Sequence, residues 1–361
     1  MKILTILGTR PEIIRLSRVI SKLDSLVDHK ILHTGQNFDT NLNDIFFTQL
    51  GIRNPDYTIT SKDDNLSGQI AKIFIGVEEV LNTFKPDKIL VLGDTNSGLC
   101  SIICERLGYP VYHMEAGNRC YDLRVPEEKN RKIIDAVSTY NLPYSNLSRE
   151  NLLREGISNN KIFVTGNPIR EVLLHYGDLI NNSSILERLE LTSGEYIIVT
   201  AHRAENVDVP SRLKNIFSAL HEMGRDYKVV FSCHPRTAEK MRVSGITDTH
   251  PNILICNPFG FFDFVKLEKN SRLAVTDSGT VQEEMCLMGV PTITIRDTTE
   301  RPETVWCGSN IVCGLDVDSI MGAYRRITSR CMSWNPPPEY LKMDVSDTVV
   351  NILLSNDAKE I

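Results

Sequence analysis

Three carboxylates stand where proton transfer could occur. Asp94, Glu115 and Glu127 each lie at the end of a short apolar run or in the loop that follows one. Two carboxylates directed into one crevice repel each other and raise each other's proton affinity, which suits groups that exchange protons with a substrate. These residues are therefore the candidates for general acid–base catalysis. For Glu127 a structural role is also open, because it follows Pro126 at a predicted helix start.

A second cluster could bind a diphosphate. Asp277-Ser278-Gly279-Thr280 opens a predicted helix, whose unpaired N–H groups and dipole favour an anion. Thr280 and Glu283 have capping-box spacing, so an ordinary capped helix is the alternative. Glu284 lies further along the helix, where it could accept hydrogen bonds from two ribose hydroxyls. Positive charge could come from residues near other strand ends, namely Arg10, Arg15, His202, Arg203, His234 and Arg236.

Familiar nucleotide and metal motifs are incomplete. No Gly-x-Gly-x-x-Gly follows a predicted strand, and the segment 93–98 has P-loop glycine spacing but lacks the Lys and Ser/Thr. NAD binding and ATP hydrolysis therefore lose support. The nine cysteines are scattered without a Cys-x-x-Cys pair. We interpret Cys100 and Cys104, which share a helical face, as core residues rather than metal ligands.

The elements that must position these residues are short apolar runs separated by helix-length segments. Continuous runs of this kind predict strands buried on both faces of a parallel sheet, and ligands bind beyond the carboxyl ends of such strands. The first series contains Lys2–Leu7, Lys30–Leu32, Lys88–Leu92 and Val111–Met114. The second contains Tyr196–Thr200, Lys228–Ser232, Ile253–Cys256, Arg272–Thr276 and Thr292–Ile295.

Two similar α/β halves follow from this repetition. We predict an N-terminal domain over residues 1–168 and a C-terminal domain over 169–344. A last helix, within 345–361, follows a Pro-rich break and is expected to return to the first domain. Of the eight histidines, four lie at or just beyond predicted strand ends, namely His33, His113, His202 and His234.

Composition limits the class of protein. A chain of 361 residues, 41% apolar and 24% charged, is long enough for two or three globular domains. No run approaches the roughly 18 apolar residues of a membrane span, and Met1–Leu7 leads at once into charged residues, so we expect a cytoplasmic chain without membrane contact. The net charge of −6 argues against binding to nucleic acid.

Eight motifs occur in order over nearly the whole chain. They are Gly8-Thr9-Arg10-Pro11-Glu12, Gly93-Asp94-Thr95, His113-Met114-Glu115-Ala116-Gly117, Pro126-Glu127-Glu128-x-Asn130-Arg131, Ala201-His202-Arg203-x-Glu205-Asn206, His234-Pro235-Arg236, Asp277-Ser278-Gly279 and Glu300-Arg301-Pro302-Glu303. In this combination the chain resembles the UDP-N-acetylglucosamine 2-epimerase family. The stretch 115–128, with Asn118-Arg119-Cys120, looks most like the branch that makes UDP-N-acetyl-L-fucosamine from UDP-2-acetamido-2,6-dideoxy-L-talose.

The resemblance implies a glycosyltransferase B-type fold, with two Rossmann-like domains and the active site in the cleft between them. It implies acid–base roles for Asp94, Glu115 and Glu127, and contact of His202 with the departing UDP. Ser278 and Gly279 would bind phosphate, and Glu284 the ribose. The remaining predicted substrate-binding residues are Arg10, Arg15, His234, Arg236, Thr280 and Arg301. We expect a homodimer that acts on a UDP-2-acetamido sugar with no metal and no cofactor.

The sequence departs from the family pattern at three places. Position 15 is Arg, where the UDP-N-acetylglucosamine enzymes typically have Lys. The loop between Glu115 and Glu127 is shorter than usual. The stretch Gln36-Asn37-Phe38-Asp39 lacks the second Gln with which many bacterial members bind an allosteric UDP-N-acetylglucosamine.

Other activities remain open on the sequence alone. One is a UDP-N-acetylglucosamine/UDP-N-acetylmannosamine 2-epimerase, and another is a hydrolysing 2-epimerase that releases free N-acetylmannosamine. A UDP-sugar-dependent glycosyltransferase would share the two-domain fold but would need an acceptor pocket. The three carboxylates favour an epimerase over a transferase.

Overall fold

The computed structural model describes residues 1–36, 46–63, 65–246 and 250–355. Within these ranges the chain folds into two compact units. The first contains Met1–His175 together with the segment that begins at Pro338, and the second is Tyr176–Pro337. The sequence prediction places the boundaries at 168 and 344 instead.

A short helix, Ile169–His175, accounts for the difference at the first boundary. It packs against the helix Arg10–Leu26 of the first unit. Its Glu171 carboxylate also accepts a hydrogen bond from the backbone N–H of Ser346, at 2.9 Å. The chain therefore leaves the first unit only after this helix.

The first unit is built on a six-stranded parallel sheet. Its strands are β1 Lys2–Leu7, β2 Asp28–His33, β3 Tyr57–Thr58, β4 Lys88–Leu92, β5 Val111–Met114 and β6 Tyr140–Leu142. Their order is β3-β2-β1-β4-β5-β6. The two central strands are apolar runs, and β4 is buried at every position, as expected for strands covered on both faces. Because all six strands are parallel, the loops after β1, β4 and β5 leave the same edge of the sheet.

Helices flank this sheet. They are α1 Arg10–Leu26, α2 Leu66–Phe84, α3 Ser101–Arg106, α4 Pro126–Val137, α5 Asn146–Arg154 and α6 Ile169–His175. The last helix of the chain, Val345–Leu354, packs against α1, as predicted. It buries Val345, Val349 and Leu353, which lie on one face at helical spacing.

The second unit repeats the plan. Its strands are β7 Tyr196–Thr200, β8 Lys228–Ser232, β9 Ile253–Cys256, β10 Leu273–Thr276, β11 Thr292–Thr294 and β12 Asn310–Val312, in the order β12-β11-β10-β7-β8-β9. All neighbouring pairs are parallel. The helices are α7 Gly177–Asn181, α8 Ile185–Arg188, α9 Ala204–Val207, α10 Pro210–Met223, α11 Pro235–Val243, α12 Phe261–Asn270, α13 Gly279–Met288, α14 Pro302–Trp306 and α15 Val317–Thr328.

The prediction of two parallel α/β halves is confirmed. All nine strands predicted from apolar runs are present. Six have the predicted bounds, and the other three differ from them by no more than two residues at either end. The three strands that the sequence did not reveal are β3, β6 and β12, each of two or three residues and each at an edge of its sheet. In the described ranges, no helix combines the length and the apolar character needed to cross a membrane.

Candidate active site

The turn after β1 presents Arg10 at the start of α1. Thr9 is the N-cap residue, and the carboxylate of Glu12 accepts hydrogen bonds from the backbone N–H groups of Gly8 and Thr9, at 2.5 and 3.0 Å. This capping box fixes the turn. The half-buried guanidinium of Arg10 lies 5.8 Å from the ring centre of Phe46.

Asp94 follows β4 and is held by an arginine. Arg131 of α4 donates a hydrogen bond from Nε to Oδ2 of Asp94 at 2.8 Å, and Nη2 lies 2.6 Å from the same oxygen. Asn130 donates to the backbone carbonyl of Asp94 at 2.9 Å. The Asp94 side chain keeps about a fifth of its surface exposed. It therefore combines a fixed orientation with access from solvent.

Glu115 follows β5 and forms a buried ion pair with Arg15 of α1. The guanidinium of Arg15 also lies 5.7 Å from the ring centre of Tyr144. Glu115 has a φ of 68°, in the left-handed region that a non-glycine residue rarely adopts. Backbone conformations of this kind cost energy and occur often at functional sites.

Asp94 and Glu115 each have an arginine partner, whereas their positions at strand ends predict that the two acids act mainly on each other. The structure places Arg15 inside the first unit as the partner of Glu115. The mutual repulsion of Asp94 and Glu115 was inferred from their positions at strand ends, and sequence spacing could not reveal which basic side chains would lie beside them.

Glu127 and Glu128 occupy the first turn of α4 in different ways. Glu127 is half-buried, and the structure places it one turn before Arg131. Glu128 is fully buried and accepts hydrogen bonds from the backbone N–H groups of Cys120 and Tyr121, both at 3.0 Å. Glu128 also contacts Nη1 of Arg131 at 2.7 Å. It therefore stabilises the loop between Glu115 and Glu127.

That loop is held by internal contacts. Gly117 has a φ of 78°, and a Cβ there would lie 2.2 Å from the carbonyl oxygen of Ser148, so no larger residue fits. The buried Arg119 lies 2.7 Å from Asp135 and 2.6 Å from Glu155. Asn118 accepts a hydrogen bond from the Ser148 hydroxyl at 2.8 Å. Asn118 and Arg119 therefore maintain the shape of the loop.

Two of the four strand-end histidines are structural. His113 is buried, with Nδ1 2.8 Å from Asp135 and Nε2 2.8 Å from the carbonyl oxygen of Gly93. Because a carbonyl only accepts, Nε2 of His113 donates. His33 is also buried, and its Nδ1 accepts a hydrogen bond from Gly35 at 3.1 Å. These two rings fix loops rather than face a ligand.

His202 is exposed and His234 is half-buried, and both belong to the second unit. Nδ1 of His202 lies 3.1 Å from Oδ1 of Asp277. The ring centres of His202 and His234 are 6.1 Å apart. Nδ1 of His234 accepts a hydrogen bond from the Arg236 backbone N–H at 3.2 Å. The Arg236 guanidinium itself pairs with Asp208.

Asp277 organises the turn after β7. Its Oδ2 accepts hydrogen bonds from the backbone N–H groups of His202 and Arg203, both at 2.9 Å, and from Asn206 at 3.0 Å. Burial alone would oppose ionisation of this carboxyl. The charges of His202 and Arg203 and the hydrogen bonds of the turn nevertheless hold the pKa of Asp277 well below its usual range. Asp277 is therefore the anion that fixes His202.

The helix α13 begins at Gly279, with Ser278 as its N-cap. The Ser278 side chain makes no capping hydrogen bond. The alternative of an ordinary capping box between Thr280 and Glu283 is wrong, because both residues lie inside the helix. Thr280 is half-buried in the first turn. A Cβ at Gly279 would lie 2.4 Å from Oε1 of Glu300, so only glycine fits there.

Two glutamates of α13 have partners inside the second unit. Glu283 forms an ion pair with Arg301, whose Nε lies at 2.5 Å. Glu284 is nearly fully buried and contacts the buried Glu268 of α12. Burial and the neighbouring Glu284 raise the pKa of Glu268 well above its usual range.

Sequence reasoning missed three functional neighbours, namely Glu12, Arg131 and Glu268. Signals existed for the first two, because Thr9 and Glu12 have capping-box spacing and Arg131 lies one helical turn after Glu127. For Glu268 there was no sequence signal. In the stretch 36–39, where many bacterial members bind an allosteric UDP-N-acetylglucosamine, residues 37–39 lie outside the described ranges. The expectation about this stretch therefore stays a prediction.

Comparison with known proteins supports the family. Residues 21–354 match the family described as UDP-N-acetylglucosamine 2-epimerase. The UDP-N-acetylglucosamine 2-epimerase of Methanocaldococcus jannaschii is 40% identical over 353 residues, which cover 93% of this chain and 95% of the relative. The UDP-2,3-diacetamido-2,3-dideoxy-D-glucuronate 2-epimerase of Pseudomonas aeruginosa is 35% identical, with 90% and 92% covered.

A solved structure agrees with both units. The crystal structure of the M. jannaschii enzyme in complex with UDP-GlcNAc and UDP superposes with a TM-score of 0.93 at 39% identity and covers 98% of this chain and 99% of that one. The predicted glycosyltransferase B-type α/β fold, with two Rossmann-like parallel sheets, is thereby confirmed. By its sequence and its fold, the chain belongs to the UDP-N-acetylglucosamine 2-epimerase family and is an isomerase that acts as an epimerase.

Proposed function

We propose that this enzyme inverts C2 of a UDP-2-acetamido sugar without hydrolysis. The proposed substrate is UDP-2-acetamido-2,6-dideoxy-L-talose, and the product is UDP-N-acetyl-L-fucosamine for capsule or O-antigen synthesis. The observation that carries the proposal is the pair of arginine-held carboxylates, Asp94 and Glu115, at the ends of adjacent strands. Fixed acids of this kind suit proton transfer, whereas a transferase does not require them.

The chemistry requires loss of UDP before the proton at C2 can leave. As the C1–O bond breaks, positive charge grows at C1, and the neighbouring C2 proton becomes removable. The products of this step are a glycal and UDP, both of which stay bound. UDP then adds back to C1 while a proton arrives on the opposite face of C2. This route uses acid–base groups and a clamp for the diphosphate, with no redox cofactor or metal.

In the first unit, we assign the proton transfers to Asp94, Glu115 and Glu127. Arg131 orients Asp94, and Arg15 orients Glu115. Arg15 is thus assigned to positioning rather than to direct contact with phosphate. Arg10 remains the proposed phosphate contact of this unit, because its half-buried side chain lies at the start of α1 beyond the end of β1.

In the second unit, we assign the leaving-group clamp to His202 and to the turn at Ser278 and Gly279. Asp277 orients the His202 ring, which can donate a hydrogen bond to a departing diphosphate. Thr280 and His234, both half-buried, extend this set. Arg236 and Arg301 are assigned to positioning, since Asp208 and Glu283 hold their guanidinium groups.

Glu284 is the proposed ribose ligand. Its side chain lies beside the buried Glu268, and a carboxylate at this position has lone pairs for two vicinal hydroxyls. We also propose a homodimer, on the family resemblance alone.

The choice of sugar rests on the loop from Glu115 to Glu127. Its residues Asn118 and Arg119 hold the loop through Ser148, Asp135 and Glu155. A short loop fixed in this way sets the space beside the acid–base residues, and its sequence is that of the 6-deoxy-sugar branch. We regard a UDP-N-acetylglucosamine/UDP-N-acetylmannosamine 2-epimerase as the second candidate, because a relative with that first substrate in its name is 40% identical.

One experiment tests both candidates. UDP-N-acetylglucosamine and the 6-deoxy-L-talose derivative are offered in parallel in deuterated water, and the anomeric protons are followed by NMR. We expect turnover of the 6-deoxy sugar, with the product still attached to UDP and carrying deuterium at C2. Exclusive turnover of UDP-N-acetylglucosamine favours the second candidate. Release of free sugar contradicts the non-hydrolysing route, and product without deuterium contradicts the elimination.

A further inference from the structure

The buried side chain of Glu12 connects two loops of the proposed acid–base site. Its Oε2 accepts hydrogen bonds from Gly8 and Thr9 in the turn that carries Arg10. Its Oε1 lies 2.7 Å from the hydroxyl of Thr95, the residue directly after Asp94. One carboxyl group therefore joins the loop after β1 to the loop after β4.

These contacts exceed what a helix cap requires. A capping box needs only the contact between Glu12 and the backbone N–H of Thr9. The bond to Thr95 adds a residue 83 positions away in the sequence. Beside Gly8 of the first loop, the Ser97 hydroxyl of the second loop lies 2.7 Å from the hydroxyl of Thr34, which follows β2. The arrangement therefore fixes Asp94 relative to the start of α1.

The hydrogen bonds of Glu12 fit both of its protonation states. When Glu12 is ionised, Thr95 donates to Oε1. When Glu12 is protonated, Oε1 donates to the Thr95 hydroxyl, which also accepts, while Oε2 keeps both backbone donors. Burial raises the pKa of Glu12 to about 7, with a further contribution from the negative charge of Asp94. The thiol of Cys100 also interacts with Glu12.

Resting on the proposed function, we propose that Glu12 is a positioning residue of the acid–base site. It holds the Asp94 loop against the Arg10 turn, and it gains or loses one proton when the Thr95 hydroxyl reverses direction. No contact of Glu12 with the substrate is part of this proposal. Its effect on the reaction is exerted through the position and the electrostatic environment of Asp94.

The first test is independent of activity. Glu12→Gln places an amide where the protonated acid lies, with its oxygen toward Gly8 and Thr9. Since the folded wild-type chain binds this proton more tightly than the unfolded chain, wild-type stability falls as pH rises from about 4.5 to 7. We expect the thermal midpoint of the wild type to fall relative to that of Glu12→Gln by roughly 5 °C between pH 5 and 8. If the thermal midpoints of the wild type and Glu12→Gln change with pH in parallel, the proposal is overturned.

The second test separates positioning from helix capping. We expect the kcat of the wild type to change with an ionisation near pH 7, and the kcat of Glu12→Gln to show no such change with pH. The kcat of Glu12→Gln should be on the order of 10-fold lower than that of the wild type, and its KM should stay within about twofold. Thr95→Val removes a hydrogen bond that lowers the pKa of Glu12, so the change in kcat should move to higher pH. Thr95→Ser keeps the hydroxyl and should leave the change in kcat at the wild-type pH.

If the kcat of Glu12→Gln depends on pH as that of the wild type does, and only its stability differs, the proposal is overturned and Glu12 is only a helix-capping residue. Failure of the proposed function has a different signature, because the wild type itself then turns over neither UDP-sugar. In that case the thermal comparison still decides whether Glu12 holds the proton. Hydrogen exchange of amides 94–97 decides its positioning role, with faster exchange expected in Glu12→Ala and unchanged exchange overturning it.

Discussion

Arg131 binds the Asp94 carboxylate through a single oxygen, Oδ2, which lies 2.8 Å from Nε and 2.6 Å from Nη2. Its third nitrogen, Nη1, lies 2.7 Å from the buried Glu128. One guanidinium therefore orients a proposed acid–base residue and fixes the glutamate that holds the following loop. Oδ1 of Asp94 is not engaged by Arg131, which suits a group that must reach a substrate.

Arg131→Lys is expected to lower kcat by 10-fold to 100-fold. A lysine keeps the charge but cannot reach Asp94 and Glu128 in the same fork geometry, and a misplacement of about 1 Å can cost on the order of 10²-fold in rate. Steady-state kinetics with the 6-deoxy sugar nucleotide measure the effect. Lys129→Met on the same helix is the control, because Lys129 is exposed. Equal kcat for Arg131→Lys and wild type would show that Asp94 needs no guanidinium.

The sequence predicted the parts of the fold that depend on long apolar runs. Strands such as β4, buried at every position, leave a continuous apolar signature. β3 contains only Tyr57 and Thr58, too few residues for any periodicity. Its existence depends on pairing with the edge of β2, which only the folded sheet provides.

The candidate site was predictable as a set of residue types but not as a set of partners. The strand-end rule correctly gathered the carboxylates and His202 near sheet edges. It could not distinguish His113, which is buried between Asp135 and Gly93, from His202, which is exposed. Ion pairs such as Arg15 with Glu115 join positions 100 residues apart, and local sequence spacing carries no information about them.

The carboxylates themselves provide a direct test of the proposed chemistry. Asp94→Asn and Glu115→Gln are each expected to lose on the order of 10²-fold or more in kcat, because neither amide can accept a proton from C2. The deuterium content at C2 of the product reports the same step. Glu78→Gln, on the exposed face of α2, is the matched control and should keep wild-type rates. Near-normal turnover in either active-site variant is incompatible with its assigned role.

Gly279→Ala is expected to weaken UDP binding by 10-fold or more. The added Cβ would lie 2.4 Å from Oε1 of Glu300. Glu300 is itself buried and lies 2.8 Å from Arg296, so it cannot move aside without loss of an ion pair. Overpacking of this kind typically costs about 1–3 kcal/mol of stability. The turn at Gly279 is therefore expected to shift from the position in which we assign it to the diphosphate, and UDP affinity should fall. Isothermal titration with UDP measures the affinity.

Gly322→Ala is the matched control for that substitution. Gly322 lies in α15 of the same unit, and a Cβ there meets no atom within 4 Å. This variant should therefore bind UDP normally. Alanine in a helix interior is favoured over glycine by roughly 0.5–1 kcal/mol, so the variant should unfold at a slightly higher temperature than the wild type. The assignment of the Gly279 turn to phosphate would be wrong if Gly279→Ala bound UDP as tightly as Gly322→Ala does.

Asp277→Asn is expected to lower the free energy of unfolding by about 2 kcal/mol at pH 7, because hydrogen bonds to a charged group contribute roughly 1.5–3 kcal/mol. The pKa of Asp277 lies well below its unfolded value, so its carboxylate stabilises the folded chain above about pH 4, and this contribution is lost as pH falls further. The difference between wild type and variant should therefore narrow between pH 5 and pH 3. Urea unfolding at a series of pH values measures it, with the exposed Glu195→Gln as control. A difference that stays constant with pH would mean that shape, rather than charge, makes Asp277 important to the turn that holds His202.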